Sequence, residues 1–122
     1  MSADWERIVA RALTSRDPVA ALRAASRNKK LSIVLRKRLS IATMQEDGVR
    51  LSALLIARLR FERLIRGSRQ AEDWYLEDPE GFTTAFKQYH HSVPPRTFFP
   101  QTEAIAWSKW LKKHQRLITR IA

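Results

Sequence analysis

In the stretch "VRLSALLIARLRFERLIRG", Val49 to Gly67, the apolar side chains Leu51, Leu54, Leu55, Ile56, Leu59, Phe61, Leu64 and Ile65 point in almost every direction on a helical wheel. A helix that is apolar nearly all round is a central, buried one. Glu62 stands four residues from both Arg58 and Arg66, so a local ion-pair ladder is available along it. The stretch reads as scaffold closed by Gly67, and the remaining elements are expected to pack around it.

Upstream, the signals are again helical. Trp5, Ile8, Val9, Ala12 and Leu13 recur at helical spacing behind Ser2, a candidate N-cap. Asp17 and Pro18 open a second helix that stops near Asn28, with proline at the first position, where its missing N–H costs nothing. A third helix is expected from about Lys29 to Gln45, broken by Gly48. Its core face would hold Leu31, Val34, Leu35, Leu39, Ile41 and Ala42, with Lys29, Lys30, Arg36 and Lys37 opposite. Ile33 and Met44 fall among those cations. Arg38 falls on the apolar side, where it must snorkel or find a partner.

Downstream, Ser68 is expected to cap a short helix through Trp74 and Leu76, and Asp78-Pro79 repeats the earlier Asp-Pro opening. Phe82, Ala85, Phe86 and Tyr89 follow at helical spacing. Pro94, Pro95 and Pro100 force an extended strap over residues 93–100. A long basic amphipathic helix is expected from about Thr102 to Ile121, with Trp107, Trp110 and Leu111 on its apolar side. Lys109, Lys112, Lys113, Arg116 and Arg120 lie opposite. The expectation is therefore all-α: one helical domain over residues 1–122, a single compact bundle of about five to seven helices.

Composition narrows the function. The chain has no cysteine, which excludes disulfides, thiolate catalysis and thiolate-bound metal centres. The start "MSADWERIVARAL" lacks the apolar segment of a secretory signal, and no apolar run approaches the roughly 20 residues needed to span a bilayer. A cytoplasmic protein is expected. Net charge is +11, and its distribution is uneven. Residues 1–70 hold 16 cations and 6 acids, residues 71–103 hold 2 and 6, and residues 104–122 hold 5 cations and no acid.

Catalytic constellations are not legible. His90 and His91 are adjacent and cannot face one metal from a helix. His114 falls on the apolar side of the last helix and reads as a core histidine. Asp73 and Glu77 are one helical turn apart, but acids near a helix start serve the dipole equally well. Three glycines cannot build a phosphate-cradling loop. No catalytic residue, metal site or cofactor is expected. "RLSIATMQEDGVRLSALLIARLR" has the outline of a helix-turn-helix, yet its second helix lacks the exposed polar residues a recognition helix needs.

The leading expectation is a non-enzymatic nucleic-acid-binding protein, taking DNA or RNA by the phosphate backbone. The contacts would be Lys29, Lys30, Arg36 and Lys37, together with Lys109, Lys112, Lys113, Arg116 and Arg120. The alternative is a helical adaptor that docks an acidic protein, with the acidic segment 72–80 pairing onto a second copy as a homodimer. Binding to an anionic membrane through the last helix ranks third.

Overall fold

The structure, a computed structural model, describes residues 2–95 and 99–114. Its helix starts follow local chemistry. Asp17 accepts a hydrogen bond from the Ala20 amide, Ser68 from Ala71 and Asp78 from Gly81. Each satisfies a backbone donor that the first turn leaves without a partner. Seven helices result: α1 Ser2–Leu13, α2 Pro18–Ser26, α3 Ile33–Thr43, α4 Glu46–Gly67, α5 Arg69–Glu77, α6 Pro79–Ser92 and α7 Pro100–Lys113. No strand occurs among the described residues, so the all-α expectation holds. α1 starts at Ser2 itself rather than after it. Pro100, expected in the extended strap, instead opens α7, two residues before the expected start at Thr102; residues 96–98 of the expected strap and positions 115–121 of the expected last helix lie outside the described residues.

The chain forms two compact units, Met1–Ala57 and Arg58–Ala122, and α4 begins in the first and ends in the second. In the first unit Ala12, Val19, Leu22, Leu35, Leu39 and Val49 make the core, with Trp5, Ile8, Val9, Leu13 and Leu31 packed on it. In the second the core is aromatic: Phe82, Phe86, Tyr89, Trp107 and Trp110 gather with Leu64, Ala71 and Ala85. Phe61 meets Phe82 and Phe86 edge-on at 5.4 and 5.2 Å, the arrangement that ring quadrupoles favour.

Three sequence expectations are corrected. First, α3 begins at Ile33, not at Lys29. Asn28 Oδ1 accepts from the Lys30 amide at 3.0 Å and Ser32 Oγ from the Leu35 amide at 3.2 Å. These short polar side chains offer the backbone a local alternative to helix, so Lys29 and Lys30 occupy a turn. Second, Gly48 breaks nothing. The interruption falls at Met44 and Gln45, and Gly48 sits in the first turn of α4 beside Glu46 and Asp47, whose charge suits the helix dipole.

Third, α4 is not buried all round. Its Val49 belongs to the first core and its Leu64 to the second, while Leu51, Leu54, Leu55 and Leu59 belong to neither and are 50–66% exposed. Val34 and Ile41 of α3, expected in the core, are likewise exposed. Gly67 does close α4, as expected, and it does so without a left-handed turn, since no described glycine has positive φ. It is required by proximity: a Cβ there would lie 2.2 Å from the Pro100 carbonyl oxygen.

Candidate functional site

The cations that sequence reading singled out fall into both units. In the first, Lys29 and Lys30 are exposed in the turn between α2 and α3. Arg36 is half-buried on α3, with a buried Nε that has no hydrogen-bond partner among the described residues. Lys37 is exposed on the same helix. The expected row of four on one helical face is therefore a turn pair plus α3 residues. Arg38 does find a partner: its guanidinium lies 4.4 Å from the centre of the Trp5 ring, a cation–π contact that covers an apolar side chain without burying the charge.

In the second unit Lys109, Lys112 and Lys113 are exposed on α7, while Glu103, Trp107 and Trp110 of that helix are buried. The helix ends at Lys113. Arg116 and Arg120 lie outside the described residues. Lys109 and Lys113, one turn apart, line a cleft of about 430 Å³ whose other walls include Val93, Pro94, Ile105, Ala106 and Trp110.

α7 is held in place by a buried polar cluster that sequence reading missed. Arg60 of α4 forks onto Glu103 of α7, Nε donating to Oε1 at 2.8 Å and Nη2 to Oε2 at 3.2 Å. Nη1 donates to the Val93 carbonyl, and it stands 3.4 Å from Nδ1 of His90. A guanidinium can only donate, so Nδ1 of His90 is the acceptor and its proton sits on Nε2. The Tyr89 hydroxyl donates to Glu103 Oε2, and the Arg60 guanidinium lies over the Tyr89 ring at 4.4 Å.

Every strong group in the cluster therefore has a partner, as burial of a charge demands. Burial is the main reason the Tyr89 hydroxyl is pushed well above the usual phenol range, with the Glu103 hydrogen bond adding to it. Burial also lowers His90 to about 4, helped by the Arg60 charge and by His91. The cluster is electrically neutral: one guanidinium, one carboxylate, a neutral imidazole and a neutral phenol. Two faint signals pointed to it. Arg60 is embedded in an apolar run, and Glu103 is the sole acid after Glu80.

His91 is exposed while His90 is buried. His114 is also exposed, contrary to its reading as a core residue. It stacks on Trp110 at 4.5 Å and sets Nδ1 against the Trp110 carbonyl at 2.9 Å, so a helix-end contact replaces burial. Asp73 and Glu77 are exposed on α5, and no group of three metal-ligating side chains occurs among the described residues. No described helix is long and apolar enough to cross a membrane. No family model matches the chain, and no curated protein or solved structure matches it either.

Proposed function

We propose that this protein is a non-enzymatic nucleic-acid binder of the cytoplasm that takes the phosphate backbone through exposed lysines. One observation carries the reading. Lys29, Lys30, Lys37, Lys109, Lys112 and Lys113 are all exposed, and none forms an ion pair among the described residues. The ion pairs present there are made by arginines: Arg7, Arg23, Arg50, Arg58 and Arg60. None of the acids of segment 72–80 forms an ion pair with these lysines among the described residues. Unpaired, solvated ammonium groups are the ones that release condensed counterions from a polyanion at no cost in broken ion pairs. Arg116 and Arg120 join the set by sequence alone, as continuations of the α7 cations along a basic amphipathic C-terminal helix.

The test is a mobility-shift titration against duplex DNA and RNA at several salt concentrations. Log affinity should fall linearly with log salt, with a slope of about −0.9 for each duplex DNA phosphate neutralised. Affinity that ignores salt, or no binding at low salt, rejects the proposal.

A second reading, a protein-docking adaptor, is favoured by a different observation. Ile33, Val34, Ile41 and Met44 are exposed around Lys37 and Arg38 of α3, and a phosphate backbone offers apolar groups nothing.

A further inference from the structure

We infer that α3 docks the acidic face of α5 on a second copy of this chain, so that the protein self-associates. α3 carries two apolar sides. Leu35 and Leu39 are buried in the first core, whereas Ile33, Val34, Ile41 and Met44 are each more than half exposed. On a helical wheel these four share one arc with Lys37, which stands four residues from both Ile33 and Ile41. An exposed apolar face of this kind marks an interaction surface, and its embedded cation specifies an acidic partner.

The chain itself displays the complement. On α5, Glu72, Asp73 and Glu77 surround Leu76, which is 69% exposed. At those spacings all four share one side of the helix, and Arg69, exposed in its first turn, falls on the same side, so the face holds three acids and one cation. None of the three acids forms an ion pair among the described residues. The two faces are complementary: one holds Lys37 within an apolar stripe, and the other holds Leu76 among three acids that outnumber the single cation Arg69. Contact would bury Leu76 among Ile33, Ile41 and Met44 and set Lys37 against the carboxylates, which takes Lys37 out of the phosphate-contacting set and leaves Lys29, Lys30, Lys109, Lys112 and Lys113 to it. Each copy carries both faces, so the contact needs nothing but a second copy of the chain.

Sedimentation equilibrium on the full chain, without nucleic acid, tests this apart from the proposed function. The chain should form a dimer at micromolar concentration in low salt, weakening as salt rises. Lys37→Glu alone and Asp73→Lys alone should each weaken dimerisation roughly tenfold or more. An equimolar mixture of the two variants should restore it, because each reversed face then meets its reversed complement. Ile41→Ser should weaken it without altering charge. All these positions are exposed, so circular dichroism should be unchanged. A chain that stays monomeric throughout overturns the inference. So does a dimer indifferent to the reversals, or a mixture that fails to recover. A monomer that instead takes up an added acidic peptide points to a foreign partner and also overturns it.

Discussion

Arg60 and Glu103, 43 residues apart in the chain, form a two-bond fork with both side chains buried. Taking either charge out of water is costly, and the fork offsets that cost only while both partners are present. Removing one leaves the other buried and uncompensated. Glu103→Gln or Arg60→Met should therefore destabilise the protein by about 3–5 kcal/mol, read as a drop in the urea midpoint. The double change Arg60→Met with Glu103→Gln should cost less than the two single changes added together, because no stranded charge remains. Additive costs would show that the fork is not coupled as its geometry implies.

The same cluster sets a pH limit. His90 titrates near 4 when folded instead of near 6.5, because burial and the Arg60 charge oppose its protonation. Between those values the unfolded chain binds a proton that the folded chain refuses. Stability from this group is thus complete above pH 6.5 and is lost as pH falls towards 4. The difference amounts to about 3 kcal/mol. Carboxylates also titrate near the lower end, so the informative measurement is the gap between wild type and His90→Gln. Glutamine can still accept from Arg60 but carries no titrating proton. Urea midpoints should fall more steeply with pH in wild type than in the variant between pH 6.5 and 4.5. Parallel curves would remove His90 as the cause.

Gly67 offers a steric test. Any Cβ at this position meets the Pro100 backbone, with the carbonyl carbon at 2.6 Å and the oxygen at 2.2 Å. Backbone cannot swing aside as a side-chain tip can, so Gly67→Ala must shift the start of α7. Alanine normally favours a helix over glycine, yet here the change should lower the melting temperature by several degrees. Gly48→Ala is the control. Its Cβ would make only ordinary contact with Gln45 at 3.8 Å, and helix propensity should make the change neutral or stabilising. Equal effects at the two sites would contradict the close approach.

Local chemistry is what the sequence made legible. Asp17, Ser68 and Asp78 cap helices because a short polar side chain reaches an amide three residues on, whatever the rest of the chain does. The buried side of α7 was legible for the same reason, since helical spacing alone puts Trp107 and Trp110 together. What could not be read depends on distant residues. The cause of Gly67 is Pro100, and the partner of Arg60 is Glu103. The all-round apolar pattern of α4 implied one surrounding core, whereas Val49 and Leu64 serve different cores and the leucines between them serve neither. Lys29 was placed on α3 by periodicity that Asn28 and Ser32 override through their own hydrogen bonds.

Scaffold and function separate most sharply within α7. Trp107 is buried among Tyr89, Phe82 and Trp110, and its Nε1 donates to Gln70 at 3.0 Å. Truncating it to alanine removes both packing and hydrogen bond, at about 3–5 kcal/mol, a large share of what holds a domain of this size. Trp107→Ala should therefore melt far below wild type. Lys112 and Lys113 are exposed on the other side of the helix, and changing both to glutamate should leave the melt nearly unchanged. That reversal nevertheless sets two repulsions against a polyanion where two attractions stood. It should weaken nucleic-acid binding several-fold and make the salt slope shallower, since fewer counterions are released. Two melts and two titrations decide the matter. If the charge-reversed chain binds as well as wild type, α7 is scaffold alone and the backbone contact must be sought among Lys29, Lys30 and Lys37.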